Sequence, residues 1–332
     1  MIKFDCLIND YWHFCANTSE LSKAGDFIKF NFLDDEVVIY NDGSGIIAFD
    51  NICPHRGTRF FIEDSGNAMA VCKYHGWTIA NNKVHVPAIE IYPDCPISFN
   101  RYHVDFCGSL VFFSIKPKLT LYEQLGDIIY NLIESISFDC GKLVDVNQYN
   151  YQCNALIAIE NALEPDHVPF IHSNTLGALN LINCKNEFYN KNSIVKFDIG
   201  NARIKKALDR VLKLFDTGLH RFDGYMSIHI FPFCFISSTC GHSYSIQNFF
   251  PLSDDKSSFI SKLYFAGLSN NRSFDQISSF VESTIQVNRR VFEEDHDICK
   301  RIRFKSWLKL IDGPLSGSEI KIKYFRELIK FL

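Results

Sequence analysis

The chain has 332 residues, with 34 Lys and Arg against 38 Asp and Glu. The net charge of −4 leaves no electrostatic case for binding nucleic acid or an anionic membrane. At 47% hydrophobic and 22% charged residues the sequence is globular, with apolar material for about two domains and no run near the ~18 residues of a membrane span.

Residues 1–5 carry no signal-peptide pattern, so the chain reads as cytoplasmic and its 12 cysteines as reduced. Residues 1–116 read as an all-β domain. Short β-branched and aromatic runs at 37–40 and 110–113 alternate with turn clusters at 41–45 and 81–83. Lys116-Pro117-Lys118 marks the boundary. Residues 117–332 read as an α+β domain: a helix over 121–136, a helical segment near 155–172, strands near 185–250, a long helix over roughly 272–303 and an amphipathic helix within 317–332. His229, Phe231, Phe233 and Phe235 alternate as along one strand, which would give an aromatic face.

In the first domain, Cys53-Pro54-His55-Arg56-Gly57 is followed, with sixteen residues between His55 and Cys72, by Cys72-Lys73-Tyr74-His75-Gly76-Trp77. Each half offers one thiolate and one imidazole on a tight loop. Zinc fingers usually group cysteines in one half and histidines in the other, although two Cys and two His also make a tetrahedral zinc site. The mixed halves suit a Rieske [2Fe–2S] cluster, with Cys53 and Cys72 on one iron and His55 and His75 on the other. Arg56 and Lys73 beside the ligands could dock an acidic electron donor. The other ten cysteines (Cys6, Cys15, Cys95, Cys107, Cys140, Cys153, Cys184, Cys234, Cys240 and Cys299) read as small packing residues.

In the second domain, residues 160–172 hold Asn161, Glu164, His167 and His172. On a regular helix the first three form one stripe, and Pro169 would bend the chain to bring His172 back toward His167. Farther along, Asp295 falls on the apolar stripe of Val291, Phe292, Ile298 and Cys299, while Glu293, Glu294 and Asp297 point elsewhere. A carboxylate on a core-facing stripe is costly unless paired or metal-bound. His167, His172 and Asp295 therefore read as a two-histidine, one-carboxylate triad for non-haem Fe(II).

Together these motifs resemble the oxygenase component (alpha subunit) of the Rieske non-haem iron ring-hydroxylating and demethylating oxygenases. Tyr11-Trp12-His13, Pro87-Ala88 and Gly317-Ser318-Glu319 also fit that family. The resemblance implies an antiparallel catalytic sheet flanked by helices, one [2Fe–2S] cluster and one mononuclear Fe(II) per chain. It also implies a homotrimer in which Glu164 joins His75 of a neighbouring chain to His167. The family's usual residue there is Asp, so Asp166 stays an alternative bridge. Asn161 would sit near the open iron position. The implied activity is monooxygenation, by hydroxylation or oxidative demethylation of a small hydrophobic or ringed substrate with O2. Electrons would come from NAD(P)H through a separate reductase or ferredoxin, since no dinucleotide-binding motif is present. Alternatives are a desaturase on the same scaffold, a Rieske electron carrier with an inactive second site, and a zinc-binding interaction protein.

Overall fold

The computed structural model describes residues 4–33, 35–87, 97–217, 222–269 and 273–330. Ala88 of the Pro87-Ala88 pair and Cys95 lie outside them. The chain divides into two compact units, Asp5–Leu121 and the residues from Tyr122 onward.

The first unit is built from strands, in line with its β-branched and aromatic runs. Seven strands form an antiparallel sheet in the order His13–Asn17, Leu110–Ser114, Arg101–Cys107, Ile46–Asp50, Asp35–Asn41, Asp26–Phe32 and Ser65–Asn67. A three-stranded sheet of Ala70–Val71, Thr78–Ala80 and Lys83–His85 completes it. Its core joins Val38, Tyr40, Phe49, Phe60, Trp77 and Ile79 to the side chains of Cys53 and Cys72. Both cysteines thus sit at the edge where the two sheets are sealed by aromatic packing.

The second unit is a seven-stranded antiparallel sheet carrying helices. Its order is Lys142–Tyr151, Lys256–Phe265, Ser243–Ser253, Cys234–Thr239, Tyr225–Ile230, Asn192–Ile199 and Leu181–Tyr189. A short helix, Ala155–Leu163, and a long one, Ser278–Cys299, pack on it beside the C-terminal helix Ile320–Lys330. The expected helix after residue 121 is interrupted by Gly126 at φ 71°, ψ 159°, a left-handed value that glycine adopts without a Cβ penalty. The run 229–235 is not one strand. Strand Tyr225–Ile230 ends, Phe231-Pro232-Phe233 turns the chain, and Cys234 opens the next strand. His229 and Phe235 still face one another, but as register partners on neighbouring strands. All eleven described cysteines are free thiols. Cys184 is exposed and Cys6 half-buried, so these two are not core packing residues; Cys299 and the other six outside the Rieske motif are buried. Among the described residues no helix is long and apolar enough to cross a membrane.

The sheet also buries histidines in their neutral form. His242 packs against Phe215, Phe265 and Phe280, and burial pushes its pKa down to about 4, with a backbone bond to Thr239 opposing only in part. An unfolded chain takes up this proton near pH 6.5 and the folded chain does not. The stability is therefore present above pH 6.5 and lost as the pH falls toward 4. A shift of that size corresponds to roughly 3 kcal/mol. His242→Phe is expected to move the acid-unfolding midpoint, followed by circular dichroism, to lower pH while leaving the melting temperature at pH 8 within a few degrees.

Candidate metal centres

Each half of the first motif is a tight turn that closes on its own cysteine. The Gly57 amide donates to the Cys53 carbonyl and the Gly76 amide to the Cys72 carbonyl, both at 2.9 Å. Both glycines have positive φ, 74° and 72°, which is what lets the chain reverse directly after each histidine. The two thiols hydrogen-bond each other. Burial raises the pKa of Cys53. Burial also opposes ionisation of Cys72, but the Tyr74 amide, the Cys53 thiol and the His75 amide together hold it below the ordinary thiol value. The His55 and His75 rings meet edge to face with centroids 4.6 Å apart, and His55 stacks on Trp77. His75 Nδ1 is buried without a hydrogen-bond partner. Two buried sulfurs and an orphaned imidazole nitrogen on paired turns fit a cluster held by two Cys and two His. Arg56 is exposed and donates to the Tyr74 hydroxyl at 3.2 Å; Lys73 is exposed as well.

The second centre is assembled from segments far apart in sequence. Helix Ala155–Leu163 ends before Glu164, which is extended at φ −108°, ψ 140°. Pro165 accounts for this, because a residue preceding proline is driven out of the helical region. The continuous helical stripe through Asn161, Glu164 and His167 therefore does not form. His167 instead caps a single turn, Val168–Ile171, in which Pro169 sits in the first turn, where a missing N–H costs nothing; it does not bend a longer helix. His172 follows at the end of that turn, so both imidazoles project from one compact corner.

There the donor atoms converge. His167 Nε2 lies 3.2 Å from His172 Nε2, and Asp295 Oδ1 lies 3.0 Å from His172 Nε2 and 3.5 Å from His167 Nε2. Behind each imidazole stands a carboxylate: His167 Nδ1 donates to Glu164 Oε1 at 2.7 Å, and His172 Nδ1 to Glu294 Oε2 at 2.9 Å. Such outer partners fix the tautomer and direct the Nε2 lone pairs inward. Two lone-pair nitrogens and an anionic oxygen facing one another at these distances fit a bound divalent cation.

Glu294 thus does not point elsewhere. It holds His172, and it is itself held by the Thr175 hydroxyl at 2.8 Å and by Arg290 at 3.2 Å. Glu293 pairs with Arg290 and Asp297 with Lys300. Asn161 donates to Asp295 Oδ1 at 2.6 Å. Asp166 gives its amide to Glu164, while its carboxylate accepts from Ser316 and Ser318, away from His167. His167, His172 and Asp295 border a cavity of about 180 Å³ that also takes in Leu163, Val168 and Leu176. Phe170 does not join them: it is 83% exposed.

Comparison with known proteins bears on the domains and the fold. A Rieske [2Fe-2S] domain model matches residues 11–91, and the vanillate O-demethylase oxygenase C-terminal domain model matches residues 151–312. The N,N-dimethyl phenylurea N-demethylase subunit alpha of Sphingobium sp. is 37% identical over 24% of this chain, and the glycine betaine monooxygenase oxygenase subunit of Chromohalobacter salexigens is 24% identical over 51%. The chain spans only 18% and 39% of the length of these two curated relatives. Among solved structures, a quaternary ammonium Rieske monooxygenase in complex with L-carnitine superposes with a TM-score of 0.76 at 20% identity, covering 99% of this chain and 91% of that one. Naphthalene 1,2-dioxygenase from Rhodococcus sp. gives a TM-score of 0.72 at 18% identity, covering 98% and 90%. The fold is shared with both of these oxygenases. The first unit is thus similar to Rieske [2Fe-2S] domains and the second to the C-terminal domain of vanillate O-demethylase oxygenases.

Glu294→Gln keeps the size of the side chain but weakens its grip on His172. Iron-loaded protein from this variant is expected to lose mononuclear iron about 10- to 100-fold more readily to a chelator, with the visible spectrum of the cluster unchanged. Equal chelator sensitivity would show that Glu294 does not support the site.

Proposed function

We propose that the chain is the catalytic subunit of a monooxygenase that hydroxylates or oxidatively demethylates a small organic substrate. The observation that carries this reading is the inward convergence of His167 Nε2, His172 Nε2 and Asp295 Oδ1 on a cavity, in a chain that also bears the paired Cys–His turns. Cys53 and Cys72 would hold one iron of the cluster and His55 and His75 the other; His167, His172 and Asp295 would hold the mononuclear Fe(II). When bound, that iron supplies a site at which O2 is reduced beside the substrate. Overall, substrate C–H, O2, two electrons and two protons give C–OH and water.

The chain's own residues have separable tasks. Glu164 and Glu294 orient the two imidazoles. Asn161 adds a hydrogen bond to Asp295 Oδ1 and so helps fix its orientation. The apolar side chains Leu163, Val168 and Leu176 limit water at the reacting carbon. Residues 1–116 act as the electron-receiving domain and 117–332 as the oxygenating one. Electrons come from NAD(P)H by way of a separate reductase or ferredoxin in the cytoplasm. Subunits form a homotrimer in which Glu164 links His167 to His75 of a neighbouring chain. Support for Glu164 over Asp166 is that Glu164 already engages His167, whereas Asp166 is occupied by two serines.

Metal analysis of anaerobically purified protein is expected to give about three iron per chain with a visible cluster spectrum. His167→Ala and Asp295→Ala should retain about two iron and the spectrum yet lose turnover, and Cys72→Ser should bleach the cluster. A wild-type value of two iron would point to an electron carrier, and a colourless, zinc-loaded protein would sink the reading altogether.

Glu164→Gln separates transfer from chemistry. In iron-saturated protein, where any loosening of the mononuclear iron like that of Glu294→Gln is offset, electron transfer from the reduced cluster, followed by stopped-flow absorbance, is expected to slow by at least about 100-fold. Normal transfer would make Glu164 a support for His167 alone.

A further inference from the structure

The wall of the cavity contributed by the sheet is unlike the helical side that carries the triad. Ser227, Ser237 and Ser245 are direct register partners on three adjacent strands, so their side chains form a row across the sheet. Gln247 stands two residues along from Ser245 on the same face. All four line the cavity, as does Tyr225, whose hydroxyl bonds Ser237.

The bonds within this row are weak. Ser237 Oγ donates to Ser227 Oγ at 3.4 Å, and Gln247 Nε2 reaches Ser237 Oγ at 3.4 Å, well beyond the ~2.8 Å typical of hydroxyl bonds. Gln247 makes one good contact, to the Ser245 carbonyl at 3.0 Å. Ser227, Ser245 and Gln247 are nevertheless buried. Ser245 Oγ pairs with Ser261 Oγ at 3.1 Å, so the long bonds are those among Ser227, Ser237 and Gln247, and a ligand's polar group would replace them with bonds of ordinary length.

Charge is excluded from this wall. No Lys or Arg lines the cavity among the described residues. The two carboxylates that border it are engaged: Glu164 by His167, and Asp295 by Asn161 and His172. On this wall an anionic ligand would find no Lys or Arg as counter-charge, and a quaternary ammonium could neither donate to nor accept from the serine row. A bare hydrocarbon would bury the same groups unmatched.

We propose that the cavity selects an uncharged substrate bearing a carbonyl, amide or hydroxyl group, which docks on the Ser227–Ser237–Ser245–Gln247 wall and so presents a C–H bond to the triad. The identity of the reacting centre rests on the oxygenase reading above; the selectivity of the wall does not.

The test uses four compounds that share one benzene ring (benzamide, toluene, benzoate and benzyltrimethylammonium) and the iron-loaded protein. Calorimetry is expected to show benzamide binding at least tenfold more tightly than the other three. Ser237→Ala combined with Gln247→Leu should abolish that preference, weakening benzamide and strengthening toluene. Gln247→Glu, a milder change, should move the preference toward benzyltrimethylammonium. Tightest binding of any other probe, no binding by benzamide, or an unchanged ranking in both variants would overturn the proposal. In parallel, the electron-spin signal of nitric oxide on the reduced protein reports the mononuclear iron. Its absence would count against the oxygenase reading, whatever the calorimetry shows.

Discussion

The catalytic unit is organised around a conflict between lone pairs. Two imidazole nitrogens 3.2 Å apart and a carboxylate oxygen 3.0 Å from one of them cannot all be electron-rich without a proton or a cation between them. The two outer carboxylates make the conflict unavoidable. Because Glu164 and Glu294 accept from both Nδ1 atoms, neither ring can turn its other nitrogen away. Burial alone would lower the pKa of His172, yet Asp295 and Glu294 reverse this and raise it, as a pocket that favours positive charge does. A metal ion answers that demand more completely than a proton, since it binds all three donors at once.

Holding that arrangement requires two helices to keep fixed register against the sheet. On helix Ala155–Leu163, the buried Glu160 takes a bidentate contact from Arg326 at 2.6 and 2.8 Å and a bond from the Trp307 indole at 2.7 Å. That carboxylate is one residue from Asn161 but belongs to the scaffold, tying the helix to the C-terminal segments. The long helix is fixed by the Tyr151 hydroxyl, which donates to the Phe292 carbonyl at 2.9 Å, and by His296, which stacks on Tyr151 and accepts the Gln152 amide at 2.8 Å. These contacts bracket Glu294 and Asp295 from both sides. A rotation of the helix by one residue, about 100°, would remove both carboxylates from the two histidines.

How much of this could be read from sequence depended on how local each feature is. The cluster turns were legible because thiolate, imidazole and positive-φ glycine follow one another within five residues. The triad was legible by elimination, from two histidines near one corner and a carboxylate on an apolar stripe. Glu294 was not, because a helical wheel separates adjacent residues by 100° and treats only one stripe as facing inward. The site wraps around the helix instead, so consecutive carboxylates reach two nitrogens of the same imidazole. The helical stripe through Glu164 failed for a local reason, the conformational veto of Pro165. The turn at Phe231-Pro232-Phe233 was hidden by an alternation that happened to continue through it.

The serine row marks the limit of such reading. Ser227, Ser237 and Ser245 each sit in an unremarkable alternating strand, and their alignment exists only because two hairpins set the register between those strands. A shift of one residue in either hairpin would turn a serine outward and place an isoleucine, from position 228, 236 or 246, against the cavity. The metal ligands would be untouched, since the helices carry them. In the proposed oxygenase, reactivity and selectivity are thus supported by different parts of one unit: the helix corner holds the metal ligands, and the register of the sheet sets the serine wall. Substitutions in the hairpins can therefore alter selectivity without passing through the metal centre.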